Sequence, residues 1–77
     1  MNWEDYRNFG YVEVDYRSNG IRVYSDRVYS TFISSPQPMF IVESAMWQGN
    51  NIIIRCRDQY DQPRTFILRN LNEAIPI

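Results

Sequence analysis

The sequence predicts a single small all-β domain: five or six mostly antiparallel strands curled into an SH3- or Sm-like barrel, with a short helical segment at a terminus. Three observations point there. Apolar and polar residues alternate with period two through much of residues 11–71, the mark of half-buried strands. Turn-forming clusters recur at short spacing, at Ser18-Asn19-Gly20, Ser34 to Pro38, Gln48 to Asn51 and Asp58 to Pro63. A chain of 77 residues also allows only one domain, residues 1–77, with a modest core. A flat sheet of that size would leave long apolar edges, so closure into a barrel over residues 11–71 is expected.

Residues 1–10 form an N-terminal arm or a short helix, since Trp3, Tyr6 and Phe9 fall three apart. Val12, Val14 and Tyr16 then face one way and Glu13, Asp15 and Arg17 the other. Asn19-Gly20 is a strong hairpin signal, and Ile21 to Tyr24 is the return strand. Ser25-Asp26 marks a bulge or corner before a β-rich segment from Arg27 to Ile33. Pro36 and Pro38 make residues 34–38 a loop. Strands are expected over 39–47, 51–58 and 64–69, side by side. Ile52, Ile53 and Ile54 in succession suggest that the middle one is central and covered on both faces. Asn70 to Ala74 reads as a short helical turn.

Composition narrows the chemistry. All eight basic residues are arginine, set against nine carboxylates, for a net charge of −1. That balance argues against a general polyanion binder. Arginine is nevertheless the cation suited to carboxylate, phosphate and aromatic contacts. Without histidine there is no imidazole base and no ordinary zinc site. Gly10, Gly20 and Gly49 are isolated, so no phosphate-binding loop is present. Cys56 alternates with Ile52 and Ile54 and reads as a small core residue. The expectation is a non-enzyme with no catalytic residues, no cofactor and no metal. With no export signal, no long apolar run and a lone thiol, the expected location is the cytoplasm, with no membrane partner.

The run Trp47 to Asp58, followed by Arg64-Thr65-Phe66-Ile67-Leu68, resembles the later strands of WYL domains. Those are small Sm-type barrels of bacterial and phage regulators, in which a wet turn and an apolar strand precede an Arg-x-Phe-x-Leu strand. The resemblance is strongest over residues 47–71. It implies a ligand-sensing or nucleic-acid-responsive barrel, with Arg64 and Phe66 the positions that match. The family's namesake Trp-Tyr-Leu falls on Ile52-Ile53-Ile54, and its later basic residue on Asn70, so its ligand site is not carried over.

The candidate contact residues are Arg55, Arg57 and Arg64 with Tyr60 and Phe66, together with Arg22, Tyr24 and Trp47. Arg55 and Arg57, two apart, share a strand face. Arg64, across one turn, would complete a compact anion-binding cluster. The competing expectation pairs these arginines with Asp58, Asp61 or Glu43 as surface ion pairs, each worth about 0–1 kcal/mol. Tyr11, Tyr24, Tyr29 and Tyr60 are further candidates for recognition, with Arg22 and Tyr24 on one outer face. Val12, Val14, Phe32, Phe40 and Phe66 are expected in the core, and Trp3 and Trp47 as either core lid or partner anchor. The leading functional expectation is a small protein-binding module, of the kind common among phage and mobile-element regulators or inhibitors, acting stoichiometrically on another protein or on itself as a homodimer. The alternative is a WYL-like barrel that binds nucleotide or single-stranded nucleic acid through its arginines and aromatics.

Overall fold

A computed structural model describes residues 2–25 and 29–77, apart from the side chain of Phe9. The expected corner at Ser25-Asp26 and the start of the Arg27 to Ile33 segment fall partly outside these residues. Asn2 opens helix α1 (Trp3–Phe9) with a capping box. Its side-chain oxygen accepts from the N–H groups of Glu4 and Asp5, and the Asp5 carboxylate accepts from the Asn2 N–H. The helix ends at Gly10, whose N–H donates to the Tyr6 carbonyl.

Strands β1 (Tyr11–Asp15), β2 (Gly20–Tyr24) and β3 (Ser30–Ser34) form one antiparallel sheet, in the order β1-β2-β3. Strands β4 (Ile41–Gln48), β5 (Asn51–Arg57), β6 (Pro63–Asn70) and β7 (Glu73–Pro76) form a second, in the order β4-β5-β6-β7. The all-β, antiparallel class and the short terminal helix are as expected, and the three adjacent strands β4, β5 and β6 are present. The closed barrel is not. Closure needs a main-chain ladder around the whole girth. β1 runs alongside β4, but side chains join the two sheets there. Asn19 donates its amide N–H to the Phe40 carbonyl at 2.8 Å and accepts from the Val42 N–H at 2.9 Å. The Tyr16 hydroxyl donates to the Glu43 carbonyl, at a bulge between Val42 and Ser44 that interrupts β4.

Four further expectations are corrected. There are seven strands among the described residues rather than five or six, because Asn70 to Ala74 turns into β7 instead of a helical turn. Tyr16 belongs to the turn after β1 and is exposed. Met39 precedes its strand. Gly20 serves space rather than turn geometry: Asn19 takes the positive φ, 52°, while a Cβ on Gly20 would lie 2.5 Å from the Phe32 ring and from the Ile33 carbonyl. In the β4–β5 turn Gly49 alone of the two central residues has positive φ, the pattern of a type II′ hairpin.

The core lies between the inner faces. Ile21 and Val23 come from the first sheet; Val42, Ile52, Ile54, Cys56, Phe66 and Leu68 come from the second; Tyr6 comes from the helix. Full burial of each aliphatic side chain contributes about 1.5–3 kcal/mol. The helix bridges both sheets. Trp3 stacks on Trp47 with ring centroids 5.1 Å apart and donates its indole N–H to the Asn50 carbonyl. The Tyr6 and Thr31 hydroxyls are hydrogen-bonded across to β3.

Candidate functional site: the two outer sheet faces and the turn between β5 and β6

The eight sequence-predicted site residues separate into four places. Arg55 and Arg57 do share the outer face of β5. Arg64 does not join them, because the ladder sets it opposite Cys56, and Phe66 opposite Ile54. Both therefore lie on the inward side of β6. Phe66 is 4% exposed and belongs to the core, so the three-guanidinium cluster beside an accessible Phe66 is not formed. Trp47 also faces inward, against Trp3. Arg22 and Tyr24 belong to the other sheet.

On the outer face of the three-stranded sheet the polar groups satisfy one another. Tyr24 and Tyr11 donate their hydroxyls to the two oxygens of Glu13, at 2.7 and 3.1 Å, and their rings sit 5.0 Å apart. The Glu13 carboxylate holds both phenols above the ordinary tyrosine range, first by accepting their hydrogen bonds. Arg22 pairs with Asp15 at 3.3 Å and lies over the Phe32 ring, 5.3 Å from its centroid. Phe32, expected in the core, is thus 39% exposed on this face; its backbone register opposite Arg22 turns it outward.

The outer face of the four-stranded sheet is built differently. Met46, Ile53, Ile67 and Ile75 stand opposite one another in register, a row of apolar side chains crossing all four strands. The next row is Ser44, Arg55 and Thr65, with Ile77 bonded to Thr65 through its N–H. Beyond it lie Ile41, Arg57 and Pro63. Ile41, Met46 and Ile77 are all more than half exposed. Among the described residues no carboxylate pairs with Arg55, whereas Arg57 pairs with Glu43 at 3.2 Å and Asp61 at 3.7 Å.

The turn between β5 and β6 is organised by Asp58. Its side chain is 4% exposed. It accepts from the N–H groups of Tyr60 and Gln62 and from the Arg64 Nε at 3.0 Å. The Gln62 bond first, then those from Tyr60 and Arg64, hold the carboxyl below its usual value against the opposing effect of burial. Arg64 is held at Nε and opens, with Tyr60, onto a cleft of about 350 Å³ lined also by Pro38, Met39 and Phe40. Cys56 lies behind, 1% exposed, and burial pushes its thiol up to about 11. It is not an activated nucleophile. Among the described residues no three of His, Cys, Asp and Glu converge to hold a metal ion, and no helix is long and apolar enough to cross a membrane.

The apolar row was missed residue by residue. Ile53 falls in the isoleucine run expected to be covered on both faces and is 8% exposed, while Ile67, between Phe66 and Leu68, is not among the candidate residues. Together they are the available signal, since neighbouring strands with apolar residues on both faces mark a second face to be covered. No family model matches the chain, and searches among curated proteins and among solved structures find no significant match.

Proposed function

We propose that this protein is a non-enzymatic module that binds another protein through the outer face of β4 to β7. The observation that carries this reading is the outer face on which Ile41, Met46 and Ile77 are more than half exposed around the row through Ile53, Ile67 and Ile75, beside an Arg55 that has no carboxylate partner among the described residues. An apolar centre with a nearby arginine is the composition of interface hot spots. The test uses the whole chain as bait in lysate of its native host, in parallel with Met46→Glu, Arg55→Glu and, on the other sheet, Arg22→Glu. A stoichiometric protein partner is expected with the unmodified chain and with Arg22→Glu, and its loss with the other two. Recovery of no partner, or equal recovery by all four, overturns the reading.

The second reading, a WYL-like domain sensing nucleotide or single-stranded nucleic acid, draws support from the cleft at Arg64 and Tyr60. Weighing against it, Arg57 and Arg64 are both paired with carboxylates and Phe66 is buried. Binding through those arginines would weaken with salt, with a slope of roughly −0.7 per contacted phosphate. Filter binding of short oligonucleotides at two salt concentrations, with and without Arg64→Ala, decides. No saturable binding at low salt is the expected result, and salt-dependent binding lost with Arg64→Ala would displace the protein-binding reading.

A further inference from the structure

The outer edge of β3 is an unpaired strand. Two hydrogen bonds flanking the β2–β3 ladder, Ser25 N–H to the Tyr29 carbonyl and Ser35 N–H to the Asn19 carbonyl, fix its phase. With the register Ile21 opposite Ile33 and Val23 opposite Thr31, the odd-numbered residues of β3 bond to β2. The N–H and C=O groups of Ser30, Phe32 and Ser34 therefore point away from β2. Among the described residues no strand is hydrogen-bonded to that side, and those backbone groups have no partner. The far edge of the four-stranded sheet differs: β7 is shorter and contains Pro76, which has no N–H to offer. In Ser30–Ser34 none of the usual guards of an edge strand is present, neither charge, proline nor bulge.

A groove of about 440 Å³ runs beside this edge. Thr31 to Pro36 form one wall; Leu68, Leu71, Asn72 and Ala74 form the other. No charged residue lines it, so it suits a neutral, extended segment. The protein carries one: its own β3. Two copies of Ser30-Thr31-Phe32-Ile33-Ser34 placed antiparallel about a two-fold axis at Phe32 are self-complementary. Phe32 exchanges backbone bonds with its counterpart, and Ser30 with Ser34 of the other copy. Thr31 then stands beside the other copy's Ile33 on the groove side.

We propose that two copies of this chain associate edge to edge through β3, joining their three-stranded sheets into one continuous sheet. The partner-binding face of the other sheet takes no part, so the two proposals fail separately. Sedimentation equilibrium of the unmodified chain should show a reversible dimer. The Phe32 amide should exchange more slowly as protein concentration rises. Ser30→Asp with Ser34→Asp sets like charges opposite each other twice per dimer and should weaken association roughly ten-fold. Ser30→Asp with Ser34→Lys sets opposite charges at the same positions and should restore it. Both serines are exposed on the outer face, so circular dichroism should stay unchanged in either variant. A monomer at every concentration, or a dimer that the two double variants affect alike, overturns the proposal. If a double variant fails to fold, the dilution dependence of Phe32 exchange in the unmodified chain decides alone.

Discussion

On the three-stranded sheet, Glu13 and Asp15 take up two tyrosines and Arg22. On the four-stranded sheet, Arg55 stands among Ser44, Thr65 and Ile53 with no carboxylate among the described residues to hold it. The three-stranded face carries the richer set of recognition residues, yet its hydrogen bonds and charges are spent internally, and a partner would have to break them before gaining any. The four-stranded face is plainer in sequence but leaves Ile41, Met46 and Ile77 exposed and, among the described residues, the Arg55 guanidinium without a carboxylate. Residue type alone therefore favours the three-stranded face, whereas the pairing of each group favours the four-stranded one.

The largest effect should mark what the two faces have in common, the core between them. Ile54→Ala is expected to cost about 2–5 kcal/mol in urea denaturation, while Met46→Ala on the outer side of the same sheet should stay within about 0.5 kcal/mol. Equal costs would mean that the outer row is a second core and not a free face. Gly20→Ala comes next, at about 1–3 kcal/mol, because the new methyl meets the Phe32 ring and a backbone carbonyl. A neutral outcome would show that the three-stranded face is loosely closed around Phe32.

Two titrations probe the charges themselves. Asp58 is held below its usual value of 3.8, so its contribution is present above that value and disappears as pH falls through the depressed native one. Acid unfolding of Asp58→Asn should accordingly show a weaker loss of stability below about pH 4, measured by thermal melts across acid pH. Tyr11 and Tyr24 are shifted the other way, above their ordinary 10.0. Their bonds to Glu13 stabilise the fold at lower pH and are lost as pH rises through the raised values. In Glu13→Gln, ultraviolet titration should find tyrosinate forming at lower pH than in the unmodified chain. An unchanged titration would remove Glu13 as the organiser of that face.

Much of the fold is legible in the sequence, because strand period and turn chemistry are local. Val12 and Val14, Ile52 to Cys56, and Phe66 with Leu68 announce their strands and inward faces directly. β7 escapes notice, since Asn70 to Ala74 reads as a short helical turn, and only pairing with β6 makes an edge strand of Glu73–Pro76. Barrel closure is equally unreadable, being decided by where two distant hairpins meet. For the candidate sites, the shared face of Arg55 and Arg57 follows from spacing alone. The opposite face of Arg64 depends on the register imposed by the Asp58 turn, and the outward aim of Phe32 depends on its place opposite Arg22. Neither register is written in one segment.

The bridging helix carries a consequence for the order of events in folding. Every ladder joins neighbours in the chain, so each hairpin can form on the microsecond scale without waiting for the rest. A helix of seven residues is too short to persist alone, and its indole bond to Asn50 spans 47 positions. It can settle only once both sheets stand in place. The stacking of Trp3 on Trp47 thus dates the final step, and in stopped-flow refolding its near-ultraviolet dichroism should lag behind the β signal.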